Sequence, residues 1–260
     1  MDGQTLAIQA AVLVAALFQS ATGVGFGLIA GPVLLLVINS ASAVQVTMLL
    51  SLLIAVVLTP SLYKRAEKGL LSRFIIGTVV GVPIGVAFFQ QSSVGLLRVS
   101  AGLVVLFMAV SLFMNTSRSK CLGSRVRRGS TRLGNLTDMG TGILSGFLGA
   151  GLAMPGPPVV ARLSALGSAK DTVRATILAL FVVSFGTAIP LQALTVSISP
   201  QTMSLAVTLA PVTLIGVYLG RKSVAWISER AFRLIITSVL AATSVSLLAS
   251  SIGSLVERLK

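Results

Sequence analysis

The sequence contains no histidine, a single cysteine, Cys121, and only six acidic residues. These absences exclude intramolecular disulfides, Cys/His metal sites and histidine-based acid–base chemistry. Charged residues make up 10% of the chain, whereas a soluble domain has roughly 25%. A membrane-embedded enzyme would need clustered acids, a histidine or a metal site. We therefore expect no catalytic residue, no metal and no cofactor.

What the chain has in abundance is apolar sequence, with 55% hydrophobic residues and a mean hydropathy of +0.99. Most of it is expected to lie in lipid or inside a helical bundle. The first thirty residues carry no Lys or Arg, so the basic start of a cleaved signal peptide is missing. The net charge of +14 would suggest nucleic acid in a soluble protein, but here the charges lie in short loops between apolar runs. We expect no nucleic-acid partner.

A membrane-spanning helix needs about 20 mostly apolar residues. Full-length runs are predicted at 42–62, 71–90 and 96–115 in the first half, and at 171–195, 201–220 and 230–250 in the second. Each set follows a pair of shorter runs, 5–21 with 26–38 and 137–151 with 155–166. Residues 116–135 are polar and basic and predict a cytoplasmic linker.

The two halves match each other. Adding 126 to Gly23, Gly25 and Pro32 gives Gly149, Gly151 and Pro158. Later in the chain the offset becomes 135, which pairs three further residues of the first half, Gly81, Gly85 and Arg98, with Gly216, Gly220 and Arg233. The matches predict an internal duplication with repeats at 1–115 and 136–260.

Lys and Arg placement predicts how the repeats are oriented. If each pair of short runs enters and leaves on the same side, every positive residue except Arg98, Arg258 and Lys260 falls in the cytoplasm. If each pair is one broken span, seven positive residues of the second half fall on the wrong side. The first arrangement makes the halves inverted repeats. Hydropathy leaves open whether the short runs cross the membrane or re-enter part-way.

The expected fold is therefore an all-α polytopic membrane protein. It consists of two inverted repeats, each a broken or re-entrant helix pair plus three transmembrane helices.

Glycine and proline interruptions at matching places in two halves are the best sequence indication of a transporter binding site. A helix start carries roughly +0.5 of an elementary charge and N–H groups without intrahelical partners, so two starts meeting at the midplane would suit a small anion. The predicted substrate-binding residues are Gln19, Ser20, Thr22, Gly23, Gly25, Pro32, Ser145, Gly149, Gly151 and Pro158. The alternative is that the glycines only permit close helix packing, which we expect for Gly77, Gly81 and Gly85.

For four charged residues the sequence indicates a role less strongly. Arg98 and Arg233 each begin a predicted span and are expected either to attract an anion or to reach lipid headgroups. Asp138 and Asp171 are expected to complement helix starts, and no well-buried carboxylate is predicted for a proton relay.

The Gly-x-Gly break followed by proline in each half, the length near 260 residues and the basic middle loop resemble the TauE/SafE sulfite exporter family, also called the 4-toluene sulfonate uptake permease family. The resemblance implies a bacterial inner-membrane permease for sulfite or an organosulfonate such as sulfoacetate. It points to Gly23, Gly25, Pro32, Gly149, Gly151 and Pro158. Pro155 and Pro157 are additions to the family's glycine-rich pattern.

We therefore predict a permease that binds a small anion at the midplane and moves it by alternating access in a lipid bilayer. The alternative is a membrane scaffold or assembly factor without transport activity. The sequence leaves the direction of transport, the energy source and the oligomeric state open.

Overall fold

The computed structural model describes residues 3–118 and 132–223, and within these ranges the regular structure is entirely helical. The α-helices are α1 Gly3–Thr22, α2 Phe26–Ile38, α3 Ser42–Leu62, α4 Lys68–Gln91, α5 Val94–Arg118, α6 Arg132–Leu152, α7 Gly156–Ala165, α8 Lys170–Thr195 and α9 Pro200–Ser223. A short 3-10 turn, Tyr63–Arg65, links α3 to α4.

Among the described helices, five are long and apolar enough to cross a membrane: α1, α3, α4, α8 and α9. Two more described segments, Phe26–Ile38 and Val94–Met108, are shorter apolar helices. The prediction of an all-α polytopic membrane protein is confirmed. The predicted span at 230–250, Arg233 and the central part of the basic linker lie outside the described residues, and α5 and α6 extend into both ends of the predicted linker.

Helix α4 packs along α6 through the three glycines for which close packing is predicted. A Cβ on Gly77, Gly81 or Gly85 would overlap backbone atoms of α6, at Met139, Ile143 and Phe147 respectively. The residue numbers of the contact pairs increase together on both helices, so α4 and α6 run in the same direction. Small residues allow this approach, because dispersion contacts and not hydrophobic burial hold helices together in lipid.

Helix α1 packs along α9 in the same way. A Cβ on Gly216 would lie 2.7 Å from the carbonyl oxygen of Leu13, and one on Gly220 would lie 2.5 Å from that of Leu17. These helices also run in the same direction. The sequence pairs Gly216 and Gly220 with Gly81 and Gly85, so matched glycines make the same kind of contact in the two halves.

Helices α3 and α8 cross the centre of the bundle in opposite directions. Near the start of α3, Gln45 Nε2 donates to the carbonyl of Ser197, just beyond the end of α8, at 3.1 Å. At the other end, the amide of Glu67 donates to Thr176 Oγ1 at 3.1 Å. An ion pair between Arg65 and Asp171 closes the same end.

The positive side chains gather at the end of the bundle where α3 stops and α8 starts. Those with described side chains at this end are Lys64, Arg65, Lys68, Arg73, Arg162, Lys170, Arg174, Arg221 and Lys222. Arg98 lies at the opposite end, where it donates to Asn39 Oδ1 at 2.9 Å. The positive-inside rule predicts that this basic end faces the cytoplasm.

Replacing Gly81 by alanine is expected to destabilise the protein by about 1–3 kcal/mol, because the new methyl group would overlap the Ile143 carbonyl in a packed helix pair. Gly186 is the matched control, since a Cβ there meets nothing within 4 Å. Thermal unfolding of the purified variants in detergent measures both. Equal melting temperatures for Gly81→Ala and Gly186→Ala would contradict the packing described for α4 and α6.

Candidate functional site

The first interruption, Gly23–Gly25, separates α1 from α2 inside the bundle. Gly23 has φ 85° and Gly25 has φ 133°, which are backbone conformations that only glycine adopts at low cost. The first intrahelical bond of α2 runs from the amide of Ile29 to the carbonyl of Gly25 at 2.9 Å. The amides of residues 26–28 therefore have no partner within the helix, and all three residues are buried. We call Gly23–Gly25 the first break.

The second interruption lies later than the sequence predicts. Helix α6 continues through Gly149 and Gly151 to Leu152, and the chain leaves the helix at Ala153–Pro155, where Ala153 has φ 59°. Gly149 serves close packing instead, because a Cβ there would lie 2.6 Å from Ser184 Oγ. The expectation of a glycine break at Gly149 and Gly151 is wrong. We call Ala153–Pro155 the second break.

The helix that follows the second break has few free donors. Proline has no N–H, and prolines occupy the position before α7 and two positions of its first turn, Pro155, Pro157 and Pro158. Only Gly156 keeps a free amide among these residues. The two helix starts are thus unequal, and α2 offers more donors to an anion than α7 does.

The two breaks contact each other in the interior. A Cβ on Gly27 would overlap the carbonyl oxygen of Ala153, and one on Gly156 would lie 2.8 Å from Val24 Cγ1. Met154 is buried against α2, with its Cε 3.4 Å from the position of a Cβ on Gly31. We call this contact the junction.

The predicted polar donors differ in what they contact. Ser20 Oγ donates to Ala16 O at 2.5 Å, and Ser145 Oγ donates to Pro155 O at 2.6 Å. Thr22 Oγ1 accepts from the amide of Val24 at 3.1 Å and lies 2.8 Å from Phe18 O. These three hydroxyls stabilise the helices and turns of the junction.

Gln19 is the predicted polar residue with an unused group. Its side chain is fully buried, its Nε2 donates to Ser51 O over 3.4 Å, and its Oε1 has no hydrogen-bond partner. It lies one helical turn before the first break, where the amide of Gly23 donates to its carbonyl.

Neither predicted proline lies in a break. Pro32 is buried in the middle of α2. Pro158 faces a cleft of about 670 Å³ between α5, α6 and α7 that is lined mainly by apolar side chains, among them Leu103, Phe107 and Leu144. Of its polar lining residues, Thr141 donates to Thr137 O and Arg162 donates to Asp138, so the size of the cleft does not make it the site.

Arg174, which the sequence does not single out, brings a formal positive charge to the first break. It lies in the first turns of α8, and a Cβ on Gly23 would be 3.0 Å from its Cα. Its guanidinium donates to the carbonyl of Ser20, and its buried Nε has no partner. Arg98, by contrast, lies at the opposite end of the bundle and donates to Leu35 O at 3.1 Å.

Asp138 is a buried carboxylate, which the sequence analysis does not expect. Its side chain is 2% exposed and accepts from Arg73 Nη1 at 3.1 Å and from Arg162 Nε at 2.8 Å. Helix α6 begins at Arg132, so Asp138 lies inside the helix and not at its start. The two ion pairs tie α4, α6 and α7 together. Asp171 does lie in the first turn of α8, as predicted.

The family model of the sulfite exporter TauE/SafE matches residues 8–247, nearly the whole chain. The chain belongs to the TauE/SafE family. The protein is therefore a multi-pass membrane transporter of the anion or sulfite type, in a family of transporters and not of enzymes. No curated protein and no solved structure matched it significantly.

Gly27→Ala is expected to reduce transport at least tenfold, because the methyl group would push the Ala153 carbonyl away and open the junction. Gly31→Ala, four residues later on α2, would meet the flexible end of Met154 at 3.4 Å and make ordinary contact with Thr47 Cγ2 at 3.8 Å, so it should retain most activity. Initial rates of anion uptake into proteoliposomes, normalised to incorporated protein, measure both variants. Full activity in Gly27→Ala would contradict the importance of this contact.

Proposed function

We propose that this protein carries a small sulfur oxoanion or organosulfonate, such as sulfite or sulfoacetate, across a bacterial inner membrane, with the anion bound at the junction. The observation that supports this most directly is the buried start of α2, whose amides at residues 26–28 have no intrahelical partner. An anion with several acceptor oxygens would accept hydrogen bonds from these amides inside the membrane-embedded bundle.

The charge at the junction suits such a substrate. The start of α2 carries roughly half an elementary charge, and Arg174 adds a full positive charge beside the first break. Gln19 links the preceding turn of α1 to α3, because its Nε2 donates to Ser51 O.

In this proposal the other predicted residues form the structure around the anion. Gly23 and Gly25 provide the backbone conformation of the first break, and the hydroxyls of Ser20, Thr22 and Ser145 stabilise the adjacent turns. The remaining predicted residues contribute to the packing of the surrounding helices: Pro32, Gly149, Gly151 and Pro158.

We further propose that residues 1–115 and 136–260 are inverted repeats on either side of the basic linker at 116–135. The first helix of each half packs against the fourth helix of the other, α1 on α9 and α6 on α4, through matched glycines. Helix α3 runs opposite to its counterpart α8. A two-fold axis in the membrane plane would produce both this exchange of helix partners between the halves and the opposite directions of equivalent helices.

Contacts at both ends of the bundle provide gates for alternating access. The cytoplasmic end is closed by the pair Arg65–Asp171 and by the bridge of Asp138 to Arg73 and Arg162. The opposite end is held by the bond of Gln45 to Ser197 and that of Arg98 to Asn39. Opening one end while the other stays closed would expose the junction to each side in turn.

Transport is tested by flux into proteoliposomes containing the purified protein, with sulfite, sulfoacetate and sulfate as alternative anions. Sulfite or sulfoacetate uptake that exceeds the rate in protein-free vesicles is the expected result. A protein that incorporates normally and moves none of these anions would favour the scaffold or assembly factor and would contradict this proposal.

The two halves are expected to respond differently to the same glycine substitution. Gly25→Ala should abolish flux, because φ 133° is strained for any side chain. Gly151→Ala should keep much of it, because Gly151 lies in regular helix and the new methyl group meets chiefly the Phe88 ring, 3.1 Å away. Flux in the same proteoliposome assay compares them, and the reverse order of activities would contradict the unequal breaks.

Arg174→Gln is expected to raise the KM for the transported anion about tenfold or more, since a hydrogen bond to a charged group contributes about 1.5–3 kcal/mol. The exposed Arg221, at the same end of the bundle, supplies the control Arg221→Gln, for which little change is expected. Concentration dependence of uptake measures both KM values. An unchanged KM in Arg174→Gln would show that Arg174 does not contribute to anion binding.

A further inference from the structure

We propose that Ser51 on α3 and Ser184 on α8 are two further substrate-contacting residues, whose hydroxyls donate hydrogen bonds to the oxygens of the transported anion. This inference rests on the proposed function, because it assigns donors to the same site. Neither residue is indicated by the glycine–proline pattern of the sequence.

Both hydroxyls are buried without a hydrogen-bond partner. Ser51 is 1% exposed and Ser184 is fully buried, and neither Oγ has a donor or acceptor within bonding distance. Buried polar groups in proteins are nearly always paired, and an unpaired one costs free energy. A pair of such groups in a membrane bundle therefore indicates a partner that is bound only part of the time.

Other buried hydroxyls in the same helical bundle are satisfied within the protein. Thr47 and Thr213 donate to the carbonyls four residues earlier, Ala43 and Leu209, at 2.7 and 2.9 Å. Thr78 donates across to Gly142 O at 3.2 Å. Ser51 and Ser184 have preceding carbonyls of the same kind on their own helices and do not bond to them.

The positions of the two serines match the junction. The Oγ of Ser184 would lie 2.6 Å from a Cβ on Gly149, in the last turn of α6 before the second break. The carbonyl of Ser51 accepts from Gln19, one turn before the first break. Each serine lies near the middle of its helix, and α3 and α8 are the antiparallel pair that crosses the centre of the bundle. Ser184 Oγ thus lies against the last turn of α6, and the Ser51 main chain contacts the last turn of α1.

The other buried side-chain atoms without a partner in the described residues lie toward the ends of their helices. They belong to Thr59, Arg98, Asn135 and Arg174, apart from the Oε1 of Gln19. Besides Arg174, which borders the first break, the unpaired polar groups in or against the helical turns that precede the breaks are therefore those of Gln19, Ser51 and Ser184. The two serine hydroxyls are donors and complement the amides of α2, because a sulfite or sulfonate group presents three acceptor oxygens.

The test uses Ser51→Ala and Ser184→Ala in the full-length protein, with sulfite and sulfoacetate as probes. Without anion, each variant should melt at the wild-type temperature or above it, because the lost hydroxyl had no partner. With anion, the stabilisation should be smaller than in the wild type, because it follows affinity. The KM for uptake should rise about tenfold in each variant. Thr213→Val, which also removes a buried hydroxyl, should keep the wild-type KM.

The outcomes separate this inference from the proposed function. If the wild type transports either probe and both alanine variants keep its KM and its anion-induced stabilisation, the inference is overturned. Lower melting temperatures without anion, with no change in KM, would assign the serines a structural role and overturn it as well. Should an alanine variant fail to fold, Ser51→Cys and Ser184→Cys preserve volume with a much weaker donor and are expected to raise KM similarly. A wild type that neither transports nor is stabilised overturns the proposed function and this inference with it.

Discussion

The structure depends on one constraint: backbone amides in the interior of a membrane protein need partners that lipid cannot supply. At residues 26–28 the start of α2 leaves such amides without intrahelical partners, next to a half-buried arginine. A soluble protein would leave them to water. Here the chain surrounds them with protein, and in the proposed function a bound anion offsets the cost of the break. The proposed binding site is made chiefly of main chain, with the charge of Arg174 beside it.

Glycine contributes to this arrangement in two physically different ways. At Gly23 and Gly25 it allows positive φ angles, whereas at Gly27, Gly81 and Gly216 it lets backbones approach closer than any side chain permits. The close approaches pair α4 with α6 and α1 with α9, and the junction lies where the two resulting layers meet across α3 and α8. The ion pairs of Asp138 and Asp171 join helices at the basic end of the bundle.

Hydropathy predicted the described helices and their bounds well, because lipid imposes long apolar runs on any such chain. The match of Gly23 with Gly149 correctly pointed to two interrupted helices. It misplaced the second break, since sequence cannot tell a glycine that unwinds a helix from one that packs it. The sequence also could not reveal contacts between distant segments. It did not single out Arg174, Ser51 or Ser184, and it placed Asp138 at a helix start.

The most direct test of the account is to locate a bound anion by the anomalous scattering of selenium, in crystals grown with selenite in place of sulfite. We expect the selenium peak within hydrogen-bonding distance of the amides of residues 26–28, between the two breaks. A peak only in the apolar cleft beside Pro158, or only beside Arg98 at the opposite end of the bundle, would contradict the claim that the start of α2 holds the substrate.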